Sequence, residues 1–355
     1  MAPRNLINIE RVSKDYGKGP VLADVSLGVA EGERIGIIGR NGGGKSTLMR
    51  IMSSREEADS GRVTQGNNVR VGLLAQVDDF AADATVRSVV LGTRNEHEWA
   101  GDAGVRDVLN GILGGHDDAL LDHPIAPMSG GERRRVALAR LLTTELDVLL
   151  LDEPTNHLDV EAIAWLAAHL KNRRGLAIVV VTHDRWFLDE ICERMWEVVA
   201  GSVEDYEGGY SAYVLAKAER WRQATSEDAR RRNLMRKELA WLRRGAPART
   251  SKPKFRIDAA NELIEGEPPA RDNIELLGFA GARLGKTVWE LHDVDLALGD
   301  RSLLKHASWN VGPGDRIGIV GVNGAGKTSL VRLLLGELRP NVGKLVTGKT
   351  VKPAY

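Results

Sequence analysis

The 355-residue chain has a single cysteine, Cys192. That excludes a disulfide framework and a structural zinc held by cysteine pairs, and it favours a reducing, cytoplasmic setting. Cys192 itself follows an apolar pattern and reads as a small core residue. Long apolar runs are also missing. No stretch approaches the roughly 20 apolar residues that a membrane span needs, and the N-terminal MAPRNLINIERV lacks the uninterrupted apolar core of a secretion signal. Net charge is absent too, since 49 Lys and Arg balance 49 Asp and Glu, which taken alone argues against a nucleic-acid partner.

The average hides segregation. From Lys217 to Arg256 fourteen basic residues face four acids (Glu219, Glu227, Asp228 and Glu238), a local charge of +10. Apolar residues at 43% and charged residues at 28% are enough for a buried core, and the length exceeds one average domain. Two units joined by something extended are expected.

Laid on itself with a shift of 282 residues, the sequence places Gly39 on Gly321, Lys45 on Lys327 and Gly61 on Gly343 without a gap. The matched segments EGERIGIIGRNGGGKSTLMRIM, from Glu31, and PGDRIGIVGVNGAGKTSLVRLL, from Pro313, each read as a short apolar strand, a Gly-rich turn and an amphipathic helix. Residues 1–204 are expected to hold a complete first unit, with Val148–Leu151 and Ala177–Val181 as fully buried parallel strands. Residues 205–287 are a charged helical linker: 210–242 lack Pro and Gly and predict a long helix, and 255–264 a shorter one. Between these helices, 243–254 form a basic tip. Residues 288–355 begin a second unit. Its counterpart of Gln76 would fall at 358, three places beyond Tyr355, so the chain is expected to be part of a longer protein.

Gly39, Arg40, Asn41, Gly42, Gly43, Gly44, Lys45 and Ser46 fit G-x-x-x-x-G-K-[ST] between a strand and a helix, with Thr47 following. Glycines let backbone N–H groups converge on phosphates at a helix N-terminus, the lysine adds positive charge, and the Ser46 hydroxyl completes a Mg²⁺ shell. Gly321, Asn323, Gly324, Gly326, Lys327, Thr328 and Ser329 repeat the pattern, with Thr328 in the place of Ser46. Val148–Leu151 delivers Asp152 and Glu153 at its carboxyl end, where open parallel sheets collect ligands. Asp152 is the expected Mg²⁺ partner and Glu153 the general base for an attacking water. His116, Asp117, Asp118, Asp122 and His123 lack metal-ligand spacing and read as a solvated polar turn.

Met128-Ser129-Gly130-Gly131-Glu132, then LLLDEPTNHLD, then Val181-Thr182-His183-Asp184 resemble the signature, Walker B with D-loop, and switch histidine of ATP-binding-cassette (ABC) ATPases, in order and in spacing. The resemblance implies an α/β P-loop NTPase fold of the ABC-cassette type: one complete nucleotide-binding domain, a helical-hairpin linker and an incomplete second cassette. It assigns Gln76 to the Q-loop and to Mg²⁺, Tyr16 to adenine stacking and His183 to the γ-phosphate. It also has Ser129, Gly130, Gly131 and Glu132 close on a nucleotide held by the opposite cassette. ATP and Mg²⁺ are the implied ligands.

EPTNHLD, Glu153 to Asp159, together with the charged linker between cassettes, resembles the ABC-F branch and within it looks most like the Uup-type proteins. That branch lacks a membrane domain and reaches with its linker into the ribosome toward tRNA, so a ribosome-associated translation factor is implied, with rRNA or tRNA as partner. The linker suggests RNA on its own chemistry as well. Arg243, Arg244, Arg249, Lys252 and Lys254 can neutralise phosphates beside Trp221, Trp241 and Phe255. Charge on long helices is also commonly just a solvated face, and the aromatics can pack one helix on the other. A DNA- or RNA-remodelling ATPase stays open as the alternative; the fused linker argues against a transporter subunit.

Two departures matter. Leu298 stands where Tyr16 has its twin, and the 355 residues hold no second signature, Walker B or switch histidine. ATP binding is expected at the first P-loop, with turnover by this chain alone impaired and association of two chains left open.

Overall fold

The computed structural model describes residues 4–17, 19–75, 80–223, 288–299, 301–321, 325–348, 351 and 353. Residues Met1–Tyr213 with Arg283–Tyr355 form one compact unit and Val214–Ala282 a second. In the second, 214–223 are helical as far as described. The basic-tip residues Arg243, Arg244, Arg249, Lys252 and Lys254 lie outside the described residues, as do Gln76, Asn323 and Gly324.

The first unit opens with β1 (Asn5–Asp15), β2 (Pro20–Ala30), β3 (Arg34–Gly39), α1 (Lys45–Met52), β4 (Ser60–Gln65) and β5 (Val71–Leu74). A helical stretch follows: α2 (Val86–Val90), α3 (Glu96–Gly101), α4 (Ala103–Val108), a π-helical turn at Leu109–Leu113, α5 (Asp118–Leu121) and α6 (Gly130–Thr143). Next come β6 (Val148–Asp152), α7 (Val160–Asn172), β7 (Ala177–Val181), α8 (Arg185–Ile191), β8 (Arg194–Val199) and β9 (Ser202–Glu207). The boundary expected at residue 204 falls inside β9.

Two sheets sandwich α1. Strands β2-β1-β4 make an antiparallel sheet, and a six-stranded sheet runs β5-β6-β7-β3-β8-β9, parallel except for β9. Every residue of β6 and β7 is buried, as their unbroken apolar composition requires of central parallel strands. The core joins both sheets through Ile7, Ile35, Ile37, Leu48, Met49 and Trp196. Cys192 is buried, which pushes its thiol up to about 12.

The segment 116–123, expected as a solvated turn, contains the one-turn helix α5. Asp117 caps it by accepting from the Leu120 N–H at 2.8 Å, and Arg87 forks onto Asp118 and Asp122 at 2.6 Å each. These acids serve a cap and an ion pair.

The repeat is visible strand by strand. β10 (Trp289–Leu298), β11 (Arg301–Val311) and β12 (Val342–Thr347) pair in the order β11-β10-β12, with helix α9 (Lys327–Leu334) beside them. Even irregularities recur: Arg11 and Asp24 take left-handed φ values of 51° and 53°, and their twins Asp293 and His306 take 48° each. These bulges press a carbonyl against a glycine, so a Cβ on Gly61 or Gly343 would lie 2.3 or 2.1 Å from the oxygen of Arg11 or Asp293. The pairing across the bulge is charge-reversed, Arg11 Nε to Asp24 at 2.9 Å and His306 Nδ1 to Asp293 at 2.9 Å.

One expectation fails in the second copy. Residues 316–320, the twin of β3, form no strand. Ile317 and Ile319 are 48% and 38% exposed, against 0% for Ile35 and Ile37. The difference is pairing: β3 is held between β7 and β8, whereas 316–320 pair with no strand among the described residues. A parallel strand exists only through its neighbours, whatever its own apolar pattern.

Candidate functional site

The carboxyl edge of the parallel sheet gathers the predicted residues. The turn after β3 tightens through the Gly43 N–H donating to the Arg40 carbonyl at 3.0 Å, and Gly44 caps α1 with φ 103°. A Cβ on Gly44 would lie 2.8 Å from the Val21 side chain and 2.9 Å from its carbonyl oxygen. Glycine is therefore required there, and the start of α1, whose first N–H groups have no partner within a helix, borders the cavity as an anion site. Buried Lys45 donates from Nζ to the carbonyls of Gly39 and Arg40 at 2.9 and 3.0 Å. Burial lowers its pKa, while Glu153 and Asp152 pull it back up.

A cavity of about 420 Å³ opens above this turn, within the size range of small-molecule sites. Asn41, Gly42, Gly44, Lys45, Ser46 and Thr47 form its floor, Tyr16 and Val21 one wall, and Asp152, Glu153, Asn156, Val181 and His183 the other. Sequence reasoning misses Asn156, Val21 and Val181 as site residues. Asn156 lies inside the EPTNHLD stretch, and Val181 adjoins the switch histidine motif, so both are within reach of the motifs; nothing marks Val21.

Tyr16 is half-exposed with its hydroxyl anchored. It donates to Glu56, while Arg50 Nη2 donates to it at 3.2 Å and Arg50 Nε reaches Glu56 at 2.8 Å. Burial alone would raise the Glu56 carboxyl, but hydrogen bonds from Tyr16 and Arg50 outweigh it and hold it below the usual range. The ring is thus fixed as an open platform above the P-loop, suited to stacking a base.

On the opposite wall, β6 ends at buried Asp152, and the chain turns at Glu153 with φ 53°. The Glu153 N–H donates to the Val181 carbonyl at 2.7 Å. Its side chain is only 13% exposed; Oε1 lies 3.4 Å from His183 Nε2, and buried Oε2 has no partner among the described residues. Burial is the main cause that raises its pKa, and Asp152 adds to it against the opposing pull of His183 and Lys45. Thr155 and Thr182 join their hydroxyls at 2.6 Å, tying the ends of β6 and β7 together.

The signature residues stand apart from this cavity. Ser129 caps α6 in a reciprocal box: Ser129 N–H and Oγ donate to Glu132 at 2.8 and 2.7 Å, and the Glu132 N–H returns to Ser129 Oγ at 3.3 Å. These bonds lower the Glu132 pKa. Gly130 opens the helix, and Gly131 lies against the His157 ring. In the second copy Lys327 Nζ donates to the Gly321 carbonyl at 2.6 Å, Gly326 caps α9 with φ 94°, and Thr328 and Ser329 occupy its first turn. Leu298, exposed, ends β10 where Tyr16 stands in the first copy.

Comparison with known proteins agrees with this geometry. Two family models, both described as ABC transporter, match the chain, one over residues 22–156 and 304–354 and the other over 196–276. The uncharacterized ABC transporter ATP-binding protein YfmR of Bacillus subtilis is 36% identical over 99% of this chain and 61% of its own length. The energy-dependent translational throttle protein EttA is 34% identical in Mycobacterium tuberculosis, over 99% of this chain and 69% of that protein. In Escherichia coli K12 it is 36% identical, over 95% and 67%. The chain thus spans 61–69% of these relatives. Among solved structures, a bacterial Atm1-family ABC exporter with ATP bound superposes with a TM-score of 0.53 at 20% identity, over 63% of this chain and 43% of that one. An ATP-binding subunit of an ABC transporter gives 0.50 at 21%, over 57% and 90%; both likenesses speak to the fold alone. By family match and by relatives the chain belongs to the ABC transporter ATPases, with ABC-F proteins of the EttA and YfmR type among its kin.

Proposed function

We propose that residues 1–204 form a cassette that binds Mg-ATP in the cavity and hydrolyses it, and that the output is delivered to the translating ribosome through the linker at 205–287. Residues 288–355 are taken as the start of a second cassette. The observation that carries the first half is the meeting of Tyr16, Lys45, Ser46, Asp152, Glu153 and His183 around one cavity.

Each residue has a role that fits its surroundings. Tyr16 stacks the base, and the backbone N–H groups of the Gly42–Ser46 turn with Lys45 take the phosphate charge. Ser46 and Asp152, with Gln76, are oxygen donors of the kind that hold Mg²⁺, which when bound offsets charge on the phosphate oxygens. Glu153, desolvated and with an orphaned carboxylate oxygen, accepts a proton from the water that attacks the γ-phosphorus as the bond to the bridging oxygen breaks and ADP leaves. His183, 3.4 Å from Glu153, orients that water and the γ-phosphate.

The ribosomal half is supported by the EttA relatives, whose name describes a translational throttle, and by the +10 segment from Lys217 to Arg256. DNA or RNA remodelling is the alternative that the same segment permits. The test is cosedimentation of the Glu153→Gln protein with ribosomes in Mg-ATP. Retention is expected. Neutralising Arg249, Lys252 and Lys254 should weaken it and flatten the salt dependence by about 0.7–0.9 in log–log slope for each phosphate no longer neutralised. Tight binding to duplex DNA without ribosome retention would select the alternative.

A further inference from the structure

Arg134 takes no part in the roles proposed for the cavity. It is the third of the residues Glu132, Arg133 and Arg134 in the first turns of α6, and its guanidinium Nη2 donates to the backbone carbonyl of Asp152. On the other side of the same peptide group, the Glu153 N–H donates to the Val181 carbonyl at 2.7 Å. The peptide joining Asp152 to Glu153 is therefore held at both polar ends, one by a helix and one by β7. The residue it leads into, Glu153, has a left-handed φ of 53°, a conformation that a non-glycine residue keeps only when its surroundings impose it. That same residue aims its carboxylate into the cavity beside His183.

We propose that Arg134 is a positioning residue for ATP hydrolysis, clamping the Asp152–Glu153 peptide so that Glu153 holds its left-handed turn and presents its carboxylate to the reacting water. The proposal rests on the reading of Glu153 as the base. A charged donor is what the place requires. Hydrogen bonds from a charged group are about twice as strong as neutral ones, and a guanidinium stays charged while half-buried. Arg134 also lies little more than one turn of α6 from Ser129. A rotation of the helix that engages the Ser129–Gly131 loop would thus pull on the peptide that sets Glu153.

The clamp can be tested without and with turnover. In the first arm, amide hydrogen exchange at Glu153 is compared in the parent chain and in Arg134→Ala and Arg134→Lys. Exchange about tenfold faster or more is expected in Arg134→Ala, with an intermediate rate in Arg134→Lys, which keeps the charge but loses the fork. Unchanged exchange in a folded Arg134→Ala protein overturns the proposal. If that variant fails to fold, Arg134→Lys decides by the same readout. In the second arm, single-turnover hydrolysis should fall about ten- to a hundredfold in Arg134→Ala while ATP affinity stays within about twofold, and Arg134→Lys should recover part of the rate. Equal losses of affinity and rate, or no loss of rate, would overturn it. A parent chain that binds ATP without hydrolysing it, as expected of a cassette without the opposite signature, leaves the exchange arm to decide the clamp; a folded Glu153→Gln protein that hydrolyses ATP at the parent's rate would instead remove the reading of Glu153 as base.

Discussion

Replacing Glu153 by Gln keeps the shape of the side chain and removes its charge. The carboxylate is 13% exposed and its buried Oε2 has no partner among the described residues, so its charge is held away from water with only part of its hydrogen bonding met. A buried polar group without a partner costs about 1–3 kcal/mol. His183 at 3.4 Å and nearby Lys45 recover part of that, and a glutamine still leaves one amide atom in the same spot. A gain of about 1 kcal/mol is therefore expected for Glu153→Gln, a rise of about 2–4 °C in the melting temperature of a cassette of about 200 residues. Hydrolysis is expected to fall by about 10²–10⁴. The pH dependence has a definite sign. Burial raises the folded pKa above the ordinary 4.5, so the penalty on the parent is present when the group is ionised in the folded state and fades as pH drops toward 4.5. Thermal melts of parent and variant between pH 8 and 4.5, with phosphate release at pH 8, make the measurement. A variant no more stable than the parent at pH 8, or a gain that persists unchanged at pH 4.5, would refute the claim that Glu153 is a desolvated charge.

Twin positions should respond unequally: Ile37→Ala, in a strand paired on both sides, is expected to cost about 2–5 kcal/mol. Exposed Ile319→Ala should stay within about 0.5 kcal/mol, as read by denaturant midpoints. Tyr16→Ala should weaken ATP binding by about 5- to 100-fold through lost stacking, and Tyr16→Phe much less because the ring remains; titration with a fluorescent ATP analogue distinguishes them. Hydrogen bonding to Asp293 raises the His306 pKa above 6.5, so this pair's contribution is present at low pH and is lost as pH rises through the folded pKa. Asp293→Asn should return the His306 titration, followed by NMR, toward its ordinary value.

Much of the site could be read from the residues because its chemistry is local in sequence. A P-loop needs Gly44 and Lys45 at fixed spacing, and the apolar run of β6 must end where a ligand can be met, at Asp152 and Glu153. What could not be read depends on distant partners. The segment 316–320 carries the same apolar pattern as β3 and yet forms no strand, because pairing strands rather than pattern decide it. The stretch from α2 to α5 consists of helices of four to six residues around a π-helical turn, too short for helical periodicity to register. The left-handed turn at Glu153 and the reach of Arg134 from α6 to the Asp152 carbonyl join residues across a separation no motif records. The Arg50–Glu56 anchor of Tyr16 likewise joins residues 34 and 40 positions from the ring they hold.

The central claim is that the cavity over Gly39–Ser46 is the Mg-ATP site of this chain. Calorimetric titration of Mg-ATP into the parent, Lys45→Ala and Lys327→Ala proteins tests it most directly. The predicted result is binding by the parent that is kept in Lys327→Ala and weakened more than about tenfold in Lys45→Ala, where one charge-assisted hydrogen bond to phosphate is removed. Undiminished affinity in Lys45→Ala would contradict it.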